Sequence, residues 1–188
     1  MYRVIKALNH NAVLVLDGAS QEYLIMGKGI GFGKKVSERI EPAPDSVVYS
    51  LQSVSERGKA KDLFKEIDPR YLEMADAVLN EAAKEFAHVD RGVLFPMADH
   101  IAFAVSRMRR GEVIANLLTQ DIQVLFYKEF KAASLVRRLL MEEEGLEVPD
   151  DEIGYVALHV HAATAGEKVS SAMQIAAAVR ECITMIEE

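Results

Sequence analysis

Tryptophan is missing from this chain, and Cys182 is the only cysteine among 188 residues. One thiol excludes an intrachain disulfide and suits a reducing compartment, so a cytoplasmic protein is expected. It also excludes paired-cysteine zinc sites, and no His-Glu-x-x-His segment takes their place. No metal and no cofactor are expected. No run of about 18 apolar residues is present, which argues against membrane insertion. The start, "MYRVIKALNHN", lacks an apolar core followed by a small-residue cleavage site, so no signal peptide is expected. No G-x-S-x-G segment or comparable nucleophile motif occurs, and the chain is not expected to be an enzyme. Repeats of 20–50 residues and low-complexity tracts are absent too.

What charge there is lies unevenly. The net charge is −7. Residues 1–57 hold seven Lys+Arg against six Asp+Glu, a net of +1, while residues 58–188 hold fifteen against twenty-three, a net of −8. A mildly basic first segment thus precedes an acidic one, and a short basic face binds phosphates when its cations cluster.

The periodicity changes at the same place. "YRVIKAL", "AVLVLD", "EYLIMG" and "VVYSL" are short, apolar and separated by turn residues, which predicts a four-stranded antiparallel meander with Asp17-Gly18 in a hairpin turn. About fifty residues make a thin sheet that buries little apolar surface, so it is expected to dimerise by its apolar face. Residues 52–66 read as a polar connector. Beyond it the period becomes 3.6: Asp68-Pro69 opens one helix, Pro96 another with Arg107, Arg109 and Arg110 near its C-terminal end, where the dipole favours cations, a long helix over 119–145 ends near Gly145, and acids after Pro149 open the next. The expectation is an α+β chain: a small four-stranded β domain over 1–57, a linker over 58–66, and an all-α five-helix bundle over 67–188.

The densest signal is "GKGIGFGKK", residues 27–35. It is not a nucleotide loop. Gly29 precedes Gly33-Lys34 by one residue too few for a P-loop, and Lys35 stands where Ser or Thr would hold magnesium. Gly27, Gly29, Gly31 and Gly33 alternate rather than open a helix, as a dinucleotide fingerprint would. Two readings stay open on residues alone: a flexible loop with solvated lysines, or a nucleic-acid surface. For the second, glycines admit close backbone approach, Lys28, Lys34 and Lys35 neutralise phosphates, and Phe32 offers a stacking face.

"IKALNHNAVLVLD" followed by "MGKGIGFGKK" resembles the co-antiterminator (CAT) RNA-binding domain that opens BglG/SacY-type transcriptional antiterminators. That family has a K-x-x-N-N-N turn between two strands, then M-G-[KR]-G-[ILV]-x-F-x-K-[KR]. His10 departs from it in the middle of the Asn triplet. The resemblance implies a symmetric dimer that clamps an RNA hairpin, with contacts at Lys6, Asn11, Gly27, Lys28 and Phe32.

The five histidines are His10, His88, His100, His159 and His161. A lone helix histidine is more often packed than functional, but two stretches stand out. In "MADHIAF", His100 follows Asp99 near the start of a helix, where the positive end suits a phosphate. In "DEIGYVALHVHA", Glu152, Tyr155 or Val156, and His159 share a face, while His161 is rotated about 200° away by the 3.6-residue period. Both stretches resemble the PTS regulation domain (PRD) that follows the CAT domain in the same family. The resemblance implies that His100 and His159 are phosphorylated, with Asp99 orienting an imidazole. It also implies donors among phosphotransferase-system proteins, the sugar-specific permease and HPr, and inhibition when the permease phosphorylates this domain. Family members carry two tandem PRDs, and one is expected here. The resulting expectation is a homodimeric RNA-binding antiterminator that holds a hairpin in nascent mRNA against terminator formation. The alternative from another class is a histidine phosphotransfer intermediate with the β domain as a protein-binding module. A DNA repressor fits less well, because no helix-turn-helix with a basic recognition helix is evident.

Overall fold

The computed structural model describes residues 1–187. The first region is an antiparallel sheet of β1 (Tyr2–Ala7), β2 (Ala12–Leu16), β3 (Glu22–Met26), β4 (Arg39–Ile40) and β5 (Val47–Ser50). The spatial order is β4-β1-β2-β3-β5. The expected four-strand meander is there, and the short β4 adds a fifth strand on the outer edge of β1. The β2–β3 turn forms as its residues dictate: Asp17 Oδ1 accepts from the amides of Ala19 and Gln21.

Alternation along the strands sends side chains to two faces. Val4, Val13, Val15, Ile25 and Ile40 form a small core on one face, beneath Ile30 of the glycine loop. Ala12, Leu24, Met26 and Tyr49 point the other way, into a core that continues through the helices. One face of the thin sheet therefore finds its apolar partner on the helices, while the other carries its own small core together with the half-buried Tyr2, Tyr23 and Val48.

The seam is specific as well as apolar. The Tyr49 hydroxyl donates to the Asp76 carboxylate, and the Tyr49 and Phe95 rings meet edge-on at 6.3 Å. Burial pushes the Tyr49 hydroxyl far above its ordinary pKa, and burial also raises Asp76. Lys61 and Glu22 form an ion pair at 2.6 Å across the same junction.

The polar connector is structured. It forms the hairpin β6 (Val54–Ser55) and β7 (Gly58–Lys59), then α1 (Ala60–Glu66). The segment expected as a linker over 58–66 is thus a strand and a helix, anchored by buried Ala60. The remaining helices are α2 (Pro69–Ala82), α3 (Leu94–Arg109), α4 (Thr119–Leu125), α5 (Tyr127–Ala133), α6 (Leu135–Glu144), α7 (Asp150–Ala165) and α8 (Val169–Glu187), with a 3-10 turn at Arg91–Val93 before α3. Asp68 caps α2 by accepting from the Arg70 amide, with Pro69 in the first position. Gly145 ends α6 at φ 64°. The single long helix expected over 119–145 is three pieces. Phe126 leaves the helical region at φ −117°, ψ 48°, and Ser134 turns its hydroxyl onto the Phe130 carbonyl.

The span Val169–Ile186 of α8 is long and apolar enough, with mean hydropathy 1.2, to cross a membrane by length and composition. Arg180 and Glu181 interrupt it, so it contains no unbroken apolar run. It lies along the bundle as an amphipathic helix with Ala172 and Ala176 buried.

Candidate functional site

Two turns that are far apart in sequence form one unit at the end of the sheet. The chain leaves β1 through Asn9-His10-Asn11, where Asn9 Oδ1 accepts from the Asn11 amide at 2.9 Å. The glycine loop folds over it. Asn11 Oδ1 accepts from the Gly29 amide at 3.0 Å, the Gly27 amide donates to the Asn11 carbonyl, and the Gly31 amide donates to the His10 carbonyl. The His10 and Phe32 rings meet edge-on at 5.3 Å.

The alternating glycines divide by role. Gly29 and Gly33 take φ of +73° and +67°, which glycine adopts without strain. Gly27 and Gly31 permit close approach: a Cβ at 31 would stand 2.1 Å from the Asn9 carbonyl oxygen, and one at 27 would meet Ser46. Gly31 is therefore dictated by the fused turns.

Of the predicted contacts, Lys28 and Phe32 lie on the outer surface of this unit. Phe32 is 69% exposed, an uncommon setting for a large aromatic ring. Lys28 is exposed at the loop, and Lys6 projects from β1 opposite Leu14. Asn11 and Gly27 are structural members of the unit as well as candidate contacts. Lys34 is less available than its sequence neighbours suggest, since its ammonium pairs with Glu38 at 2.8 Å. Asn9 and His10 also belong to the unit, although neither is among the predicted contacts. The asparagine bracket around residue 10 was the available signal.

The second constellation lies among the helices. His100 on α3 and His159 on α7 are buried with ring centroids 5.3 Å apart, and Tyr155 stands 5.7 Å from His100. The position of His100 corrects one expectation. The helix begins at Leu94, so His100 is in its second turn, where no free helix amides remain to receive a phosphate. Pro96, expected as the first helical residue, is the third, a position whose amide has no intrahelical acceptor anyway.

His159 Nδ1 lies 2.9 Å from the Tyr155 carbonyl oxygen, which only accepts. Nδ1 therefore carries the proton, and Nε2 holds the lone pair. Burial, reinforced by His100, pushes the His159 pKa down to about 3. The ring is neutral and nucleophilic at neutral pH. His100 Nε2 lies 3.5 Å from Glu152 Oε2, close enough to sense its charge but without a well-formed hydrogen bond. Glu152 is also held by Arg107 through bonds of 2.8 and 3.0 Å. Burial alone would raise the Glu152 carboxyl; its contacts with His100 and Arg107 outweigh it and hold the pKa below the usual value. Glu152 falls on the face expected for it, and Arg107, expected only as a helix-end cation, is its buried counter-ion.

Both histidines line a cavity of about 650 Å³ with Arg107, Phe103 and Tyr155. The β6–β7 hairpin forms another wall. There Arg57 pairs with Asp99 at 3.0 Å, and Glu56 accepts from the Ser170 hydroxyl. Asp99 thus orients an arginine from the sheet-to-helix connection, not an imidazole. His161 faces away, stacked on Phe126 at 4.0 Å and bonded to Glu129, as the helical period requires. His88 is exposed outside both clusters. Among the described residues, no cluster of His, Cys, Asp and Glu with metal-binding geometry occurs.

An asparagine–glycine double turn on a small sheet, joined to a helical bundle with a buried histidine pair, defines a two-part chain of a recognisable class. A family model for the CAT RNA binding domain matches residues 2–57, and one for the PRD domain matches residues 72–163. The chain is 26% identical over 186 residues to the beta-glucoside operon antiterminator of Dickeya chrysanthemi, covering 98% of this chain and 66% of that protein. It is 24% identical to transcription antiterminator LicT of Bacillus subtilis, over 98% of this chain and 67% of that protein. The crystal structure of GlcT CAT-PRDI superposes with a TM-score of 0.70 at 30% identity, covering 87% of this chain and 98% of that one. This chain belongs to the BglG family of antiterminators, in which a CAT RNA-binding domain precedes a PRD. It spans about two thirds of the length of the curated relatives it matches.

Proposed function

We propose that the chain is a homodimeric, cytoplasmic RNA-binding transcription antiterminator and not an enzyme. It holds a hairpin of nascent mRNA so that an overlapping terminator does not form. Its histidines report the state of the sugar phosphotransferase system. The observation that carries the reading is the fused double turn, which fixes an exposed aromatic ring, a free lysine and two asparagine amides on one rigid surface. Lys6, Asn11, Gly27, Lys28 and Phe32 are the proposed RNA contacts. Exposed apolar residues near the helical end, among them Val124, Tyr127, Ile183 and Met185, support self-association.

His100 and His159 are the proposed phosphoryl acceptors, with HPr and a sugar-specific permease as donors. The neutral His159 Nε2 supplies a lone pair for that transfer, and His100 lies beside it in the same cavity, its Nε2 turned towards the Glu152 carboxylate. A phosphoryl group beside Glu152 would add up to two negative charges where Arg57 balances Asp99 and Arg107 balances Glu152. Two unit charges about 4 Å apart at an effective dielectric near 20 interact by about 4 kcal/mol. That exceeds the ~1–3 kcal/mol of typical allosteric coupling, so phosphorylation is able to rearrange the cluster.

The test uses the full chain. A hairpin RNA should bind with a log–log salt slope of about −0.7 to −0.9 per neutralised phosphate, and DNA of the same sequence should bind far more weakly. Incubation with a phosphotransferase cascade should place acid-labile phosphate on His100 or His159, and the double alanine variant should take up none. Equal RNA and DNA binding, or turnover of a small phosphorylated compound, would favour the phosphotransfer-enzyme reading instead.

A further inference from the structure

Glu73, in the second turn of α2, touches a turn more than sixty residues away in the sequence. Its Oε1 accepts from Asn9 Nδ2, and its Oε2 accepts from Asn11 Nδ2 at 3.3 Å. The same asparagines use their oxygens internally, on the Asn11 and Gly29 amides. Their two NH₂ groups therefore project together, away from the sheet, as a matched pair of donors. One carboxylate fills that pair. No ion pair joins Glu73 to a cation among the described residues. Asn9, His10, Asn11 and Glu73 line a groove of about 310 Å³ that opens to solvent.

We propose that Glu73 is an internal competitor for RNA: its carboxylate occupies the donor pair of Asn9 and Asn11 that a phosphate group of the hairpin takes when RNA binds. The proposal rests on the RNA-binding reading above. Two neighbouring N–H donors suit the two non-bridging oxygens of a phosphodiester as well as the two oxygens of a carboxylate. Both anions cannot hold the same donors. While Glu73 is in place, its charge also faces the phosphate backbone at the point of entry. RNA binding therefore requires α2 to yield locally at Glu73. This helix packs along α3, the helix that carries His100, so a rearrangement around the histidines has a short packed route to the clasp.

The experiment starts from a stem-loop RNA library with randomised loops, from which a hairpin is selected on the wild-type chain. Binding of that hairpin is then measured for wild type, Glu73→Gln and Glu41→Gln. The Glu73→Gln change keeps the size of the side chain but removes the charge and one of the two acceptors. The Glu41→Gln change removes the same charge from an exposed position that takes no part in the clasp. The expected result is roughly tenfold tighter binding for Glu73→Gln, within the usual range of about 5- to 150-fold for coupled equilibria. Glu41→Gln should change affinity only about twofold, as a screened surface charge does. Hydrogen exchange provides a second readout on the wild type: saturating RNA should increase exchange in the first two turns of α2.

Unchanged or weaker binding by Glu73→Gln would overturn the proposal, as would α2 protection that RNA does not alter. An equal gain from both variants would reduce the effect to net charge and overturn it too. Failure of the selection to return any hairpin would instead defeat the RNA-binding reading, and the competitor with it.

Discussion

Lowering the pH from 7.5 to 5.0 should cost this protein about 2 kcal/mol of stability through His159 alone. In the folded chain burial holds the ring neutral, with a pKa of about 3 against an ordinary value of 6.5. A folded-state value below the unfolded one means the unfolded chain binds the proton first. The contribution of the neutral ring is complete above pH 6.5 and is lost progressively as pH falls from there towards 3. Each pH unit within that window costs about 1.36 kcal/mol, and pH 5.0 lies about 1.5 units inside it. With a urea m-value near 2 kcal/mol/M, the midpoint should shift by about 1 M. The assay is urea unfolding at both pH values for wild type and His159→Gln. The variant starts from a different stability, but only the change between the two pH values matters, and the variant should lack about 2 kcal/mol of it. Equal acid losses in the two proteins would refute the claim that this imidazole is buried neutral, and with it the assignment of a ready lone pair to Nε2.

Four other outcomes follow from the geometry. Phe32→Ala should weaken hairpin RNA binding by about 1–3 kcal/mol, the worth of a stacked base, while the thermal midpoint stays unchanged. Lys28→Ala should reduce the magnitude of the salt slope by about one phosphate's worth, measured by titration at several ionic strengths. Gly31→Ala forces a methyl group against the Asn9 carbonyl at 2.1 Å; about 1–3 kcal/mol of destabilisation is expected in urea, with RNA binding lost alongside. Arg107→Met strands the Glu152 carboxylate in the core and should cost about 3–5 kcal/mol at pH 7, an effect that Glu152→Gln in the same chain should largely relieve.

Turn and cap chemistry was readable from the amino acids because it is local. Asp68-Pro69, Gly145 and the Asp17 turn act within four residues, and each forms as expected. The break of the 119–145 helix was not readable, since Phe126 and Ser134 are not strong breakers and the kinks come from packing. The start of α3 was misplaced because Pro96 is tolerated anywhere in a first helical turn; the register is set earlier, where the Asp90 side chain accepts from the Gly92 amide. The Asn–Gly motif marked the candidate RNA surface, yet nothing in it announces Glu73, whose partners lie 64 and 62 residues away. The same holds for Arg57. It stands in a stretch whose polarity reads as solvated, and it meets Asp99 only because β6 and β7 fold back over the helices.

The seam between sheet and helices has a consequence for protein engineering. Leu24, Met26 and Tyr49 belong energetically to the helices as much as to the strands around them. A cut after residue 57 respects the sequence motifs but slices through one hydrophobic body. A chimera that pairs this sheet with another regulator's helices would inherit an orphaned apolar wall unless Asp76, Phe95 and their neighbours travel with it. Evolution shuffling these modules would face the same restriction, which ties the choice of RNA grip to the choice of sensor.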